Sequence, residues 1–151
     1  MPDILAIVSK AIFERDARTV GVGDVWEVDR YTSTNKALQP LAEGGRIFLV
    51  TVRPPNEQLW LVGVLDEPRF DGSAWIAKPN RIAVTNITAL RKTIRFESGK
   101  GISQDKGTLG MSLQTPRLLA AADVEQILAS TGAAPAAART VVAKVAKPAP
   151  A

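Results

Sequence analysis

Two apolar runs separated by five residues constrain this chain more than any other feature. Residues 46–53 read RIFLVTVR and residues 59–66 read LWLVGVLD, with PPNEQ between them. Their β-branched, aliphatic and aromatic content favours extended backbone, and a five-residue connection suits an antiparallel hairpin. Nearly every position is apolar, not every second one, so both strands are expected to be central and covered on both faces. The rest of the chain must supply two covering layers.

Residues 3–17 place Ile4, Leu5, Ile7, Val8, Ala11 and Ile12 at helical spacing behind Asp3 as N-cap, which predicts an amphipathic helix. Gly21 and Gly23 break that pattern, and residues 24–30 alternate so that a strand would turn Trp26 and Val28 inward. Residues 31–38 then read as a capped short helix that Pro40 and the Gly44-Gly45 pair should end. The turn pairs Asp71-Gly72 and Pro79-Asn80 bracket residues 74–78, and with 81–85 they predict a second hairpin and a sheet of at least five strands. Asn86 caps a helical turn through Leu90, residues 93–96 form another short strand, and 98–107 is a polar, glycine-rich loop. Residues 118–131 form a closing helix with Gly132 at the C′ position. The expected fold class is α+β, one domain over residues 1–131, with a strongly bent, mostly antiparallel sheet or partial barrel flanked by N- and C-terminal helices. Residues 132–151, almost entirely Ala, Pro, Val, Lys and Arg with no acid and no aromatic, are expected to be a disordered tail or linker.

Composition narrows the chemistry. The chain has no cysteine and no histidine, which removes disulfides, thiolate nucleophiles, the usual structural zinc sites and the commonest general base. Ser98-Gly99-Lys100 shares the end of a phosphate-binding P-loop, but Ile94 stands where that motif needs its first glycine and Gly101 where Ser or Thr would bind magnesium. Asp24, Glu27 and Asp29 read as a solvated face, because unpaired charge in a core is costly. A Ser/Lys pair using Lys36 or Lys100 has no supporting spacing. No catalytic residue, metal ligand or cofactor is therefore expected. The N-terminus lacks a leader of signal-peptide type and no stretch has the apolar length of a membrane span, so the expectation is a cytoplasmic protein with no membrane partner.

The net charge of +4 is unevenly spread, at −3 over residues 1–68, +5 over 69–106, −1 over 107–131 and +3 over 132–151. The candidate nucleic-acid-binding patch is Arg91, Lys92, Arg95, Lys100 and Lys106, opposed only by Glu97 and Asp105. Such a cluster either clamps phosphates or forms a solvated edge that blocks aggregation. Trp26, Trp60 and Trp75 fall on three expected strands, with Tyr31 just beyond the first. Convergence of two or three at one end of a curled sheet would stack a planar base, the alternative being ordinary core packing. Gly63 marks a bend or the close approach of a ligand, the bend being preferred.

The order of helix, Tyr-containing capped segment, Gly-rich turn, RIFLVTV, hairpin and LWLVGVLDEP resembles the PUA-like superfamily, and within it domains of the EVE and ASCH type. The pieces that carry the resemblance are Tyr31 to Asn35, Gly44-Gly45-Arg46 and Val62-Gly63, over roughly residues 20–72. Gly44-Gly45 replaces the family's Gly-Asp, and its tryptophan-rich opening strand is reduced to Trp26. The resemblance implies a curled mixed sheet and a pocket for a nucleobase, often a modified one. Tyr31, Asn35 and one of Trp26 or Trp75 would line that pocket, the aromatics sandwiching the base and Asn35 reading its edge. The resulting expectation is a non-enzymatic module that binds nucleic acid or a nucleobase. The alternative is a protein-interaction domain tethered by the tail in a multidomain protein.

Overall fold

The computed structural model describes residues 2–54, 56–102, 104, 107 and 109–131, the side chains of 111 and 112 excepted. The expectations for Lys106, Gly132 and the tail 132–151 lie outside the described residues. The chain begins with strand Asp3–Ile7 (β1), helix Lys10–Asp16 (α1), strand Arg30–Thr32 (β2) and a 3₁₀ helix Lys36–Glu43. The long strands Arg46–Arg53 (β3) and Gln58–Asp66 (β4) follow, then short strands Arg69–Phe70 (β5), Ala74–Ile76 (β6) and Thr85–Asn86 (β7). A 3₁₀ turn Thr88–Lys92, helix Leu109–Ser112 (α2), strand Arg117–Leu118 (β8) and helix Ala121–Thr131 (α3) complete the α+β fold.

The strands make a five-stranded sheet of order β7-β4-β3-β1-β8 and a three-stranded sheet of order β2-β6-β5. Among the described residues neither sheet closes into a barrel. The β3–β4 hairpin runs antiparallel from Arg46↔Asp66 to Arg53↔Gln58 and is central, as its apolar content requires. Leu5, Phe48, Val50, Leu59 and Leu61 face one buried cluster, closed over by α3 and the segment carrying Ile94, Phe96 and Ile102. Ile4, Ile47, Leu49, Val62 and Leu65 face the other, closed over by α1, the 3₁₀ helix through Leu38 and Leu41, and the small sheet through Trp75. The pairing slips by one residue between Leu49↔Gly63 and Val50↔Leu61, so Val62 is extra on β4. Gly63 turns toward the second cluster, where a Cβ would meet Val28 Cγ1 at 2.8 Å. The glycine thus serves a bulge and the close approach of the Val28 and Asn80 side chains.

Several expectations are corrected. Residues 3–17 are not one helix: β1 occupies Asp3–Ile7, parallel to β3 and antiparallel to β8, and α1 starts only after Ser9, whose Oγ accepts from Ile12 N at 3.2 Å. Ile4, Leu5 and Ala6 are consecutive and all fully buried, which needs burial on two faces and therefore a strand. Asp3 is no cap; it takes a bidentate contact from Arg46, its register partner, at 2.8 and 3.3 Å. Tyr31 lies on β2, and the helix that follows begins after Asn35 and continues through Pro40 to Glu43 as a 3₁₀ helix.

Residues 24–30 and 77–84 run side by side, but only Val25↔Ala83 forms a bridge there. Pro79 has no N–H to give a ladder. The buried amide of Asn80 substitutes, accepting from Val64 N and Ile82 N, both at 2.9 Å, and donating to the carbonyls of Trp26 at 2.9 Å and Ile82 at 3.0 Å. Consequently 74–78 and 81–85 do not form a hairpin: β6 pairs with β2 and β5, and β7 pairs with β4. Residues 93–96 form no strand either. Asp123, 2% exposed, accepts from the backbone of Arg95 at 3.1 Å, Phe96 at 2.9 Å and Ala120 at 2.9 Å, so one carboxylate both shapes that loop and caps α3, which begins at Ala121 and not at 118.

Candidate functional site

The sequence-derived pocket residues are held mainly by structural contacts. Trp75 is 4% exposed and lies 5.0 Å from Phe70, ring centre to ring centre. Tyr31 faces Trp75 across β2 and β6, and its hydroxyl donates to the Ile7 carbonyl at 2.8 Å. Asn35 Oδ1 accepts from Ala37 N at 2.9 Å and caps the 3₁₀ helix. Trp26 is half-buried and packs edge-on against Phe13 at 5.5 Å. None of these four lines either of the grooves beside Arg53.

The basic segment is likewise divided. Arg91 pairs with Glu57 at 3.6 Å, and Arg95 turns back on the carbonyls of Lys92 at 2.8 Å and Ile94 at 3.3 Å. Lys92 and Lys100 are exposed. Arg117 joins this region unannounced by the sequence, stacked 3.8 Å from the Phe96 ring centre and donating to the Lys100 carbonyl at 2.7 Å. Glu57 also accepts from Gly107 N at 2.8 Å and Leu109 N at 3.2 Å, and these donors hold its carboxyl below the usual range.

Two of the three tryptophans do converge, and they do so around Phe13. Helix α1 buries Phe13 between Trp26, at 5.5 Å, and Trp60 of β4, at 6.4 Å, both edge-on. Trp60 is half-buried, and its indole Nε1 donates to Gln58 Oε1 at 3.2 Å. Arg53, at the end of β3, lays its guanidinium 5.2 Å from the Phe13 centroid and 5.8 Å from that of Trp60. Its side chain is only 19% exposed. Nη2 donates to Glu14 at 3.2 Å, whereas Nη1 is buried with no hydrogen-bond partner among the described residues.

Beside these rings a groove of about 550 Å³ opens between α1 and the hairpin, with Arg15, Arg18 and Glu14 along its α1 side and Arg53 and Trp60 opposite. Arg15 is clamped by Asp16 at 2.8 and 3.2 Å. Arg18 is exposed. A second, more apolar cleft of about 360 Å³, walled by Ile7, Val52 and Pro54, lies against Arg53 as well. A half-buried indole next to a recessed guanidinium, with further arginines at the rim, suits a planar anion: the ring stacks and the cations take the charge. Among the described residues no group of three acidic side chains converges to hold a metal ion, and no helix is long and apolar enough to cross a membrane.

Sequence reasoning noticed Trp60 but not Phe13, Arg15, Arg18 or Arg53. The signal was Arg53 itself, a cation closing the largely apolar strand 46–53, six residues before Leu59-Trp60 resume the apolar run. The chain matches no protein-family model, no curated protein and no solved structure.

Proposed function

We propose that this protein is a non-enzymatic binding module for single-stranded nucleic acid or a nucleobase, using the groove between α1 and the β3–β4 hairpin. The observation that carries this reading is the grouping of half-buried Trp60, recessed Arg53 and exposed Arg18 around one opening. Base stacking on an indole contributes ~1 to 3 kcal/mol per base. The stacking role expected of Tyr31 and Trp75 thereby passes to Trp60. Lys92 and Lys100, exposed on the segment that covers the other face of the sheet, would form a separate contact for backbone phosphates.

The proposal includes kinship with PUA-like domains of the EVE and ASCH type and cytoplasmic residence. The kinship is supported by the sequence pattern of residues 20–72 and by the irregularity at Val62-Gly63, where β4 carries a bulge.

The test is fluorescence anisotropy with labelled single-stranded DNA and RNA at low salt. Trp60→Ala should weaken binding by ~1 to 3 kcal/mol. Absence of binding by the unaltered protein, or unchanged affinity in Trp60→Ala, overturns the reading. A second reading, docking of a protein segment, is favoured by Val22 and Val25, exposed by 55% and 44% shortly after the groove residue Val20. It takes over if no oligonucleotide binds.

A further inference from the structure

We infer that the groove recognises a nucleotide through a phosphate monoester, and that Glu14 is an internal carboxylate which the phosphate displaces from Arg53; this rests on the nucleic-acid reading of the same groove. A guanidinium is a fork of N–H donors suited to an oxyanion that engages two of them at once. Arg53 has no such partner. Glu14 takes Nη2 alone, at 3.2 Å, and Nη1 stays buried and unpaired among the described residues. The glutamate side chain is 47% exposed against 19% for the arginine, so Glu14 can return to water while Arg53 stays in place between two rings.

The shape of the site selects a terminal phosphate. An internal diester carries chain on both sides and one negative charge, and it would have to kink to reach a guanidinium recessed beside Phe13 and Trp60. A monoester carries chain on one side, approaches a double charge near neutral pH, and presents three oxygens to Arg53 and the rim arginine Arg18. The groove, at about 550 Å³, is of the size that takes one small ligand or the terminal nucleotide of a strand. With the phosphate on Arg53, whose Cζ is 5.8 Å from the Trp60 centroid, the attached base lies within reach of the indole face.

The experiment uses the full chain and four probes: adenosine, adenosine monophosphate, and a short oligoadenylate with either a 5′-hydroxyl or a 5′-phosphate. Binding is read by tryptophan fluorescence and anisotropy. Each phosphorylated probe should bind about tenfold more tightly than its unphosphorylated counterpart. Glu14→Gln should tighten the phosphorylated probes several-fold and leave the others unchanged, a gain that misfolding cannot produce. Arg53→Lys, which keeps the charge but loses the fork, should narrow the difference. If the free monophosphate binds as well as the phosphorylated strand, the ligand is the mononucleotide; if the strand binds better, it is the strand's end. Equal affinity for 5′-hydroxyl and 5′-phosphate probes, with Trp60→Ala still weakening both, overturns the inference and leaves the broader reading standing. Weaker or unaltered phosphate binding in Glu14→Gln also overturns it. No binding of any probe removes both.

Discussion

The hydroxyl of Tyr31 ties the small sheet to the last residue of β1 through the Ile7 carbonyl, and burial pushes this phenol above its ordinary pKa. The folded state therefore holds the neutral form more strongly than the unfolded chain does. The sign follows: this contribution to stability is fully present below about pH 10, the unfolded value, and is lost as pH rises through the higher folded value. Tyr31 is the only tyrosine in the chain, so phenolate absorbance reports it alone. The titration midpoint should lie above that of the unfolded protein, and Tyr31→Phe should cost about 1 kcal/mol at neutral pH while flattening the alkaline fall in thermal stability. A midpoint at or below the unfolded value would contradict this account. Nothing in the sequence distinguished a tyrosine donating to a backbone carbonyl from one lining a pocket, because the partner stands 24 positions away.

Among the elements, β3 and β4 were legible because a strand buried on both faces must be apolar at consecutive positions. β1 was not, since a run of four apolar residues from Ile4 to Ile7 fits a helix stripe as well as a buried strand, and only the later segments β3 and β8 decide between them. The hairpin expected over 74–85 failed for a different reason: the turn chemistry of Pro79-Asn80 was recognised, but the Asn80 side chain bonds to β4 and to the Trp26 carbonyl. The bulge offers a prediction at this level. Gly63→Ala places a methyl 2.8 Å from Val28 Cγ1 and within 3.3 Å of the Asn80 amide carbon, so it should destabilise by about 1 to 3 kcal/mol in a urea titration. A neutral result would mean that the 24–30 segment yields easily and does not pin the bulge. The candidate groove was illegible for a related reason: its walls come from α1, the end of β3 and the start of β4, three segments whose meeting depends on the β1 placement.

For the molecule as a whole, +3 of the net charge of +4 belongs to residues 132–151, so the total overstates the attraction of residues 1–131 for polyanions. Arg15, Arg46, Arg53 and Arg91 are each paired with a carboxylate. Binding of a single strand should therefore show a shallow salt dependence, a slope of about −1.4 to −2.1 in log K against log salt, as expected for two or three phosphates at roughly −0.7 each. A much steeper slope would move the main contact away from the groove to a larger basic surface. The parallel pairing of Asp3–Ile7 with β3, and its antiparallel pairing with Arg117–Leu118, also bears on how the chain is made. On a ribosome β1 emerges before either neighbour, and β8 emerges last of the strands. The sheet cannot be completed until Leu118 has left the exit tunnel, so the β8-facing edge of β1 at Ile4 and Leu5 stays unpaired until then. Folding that depends on such distant pairings is slow.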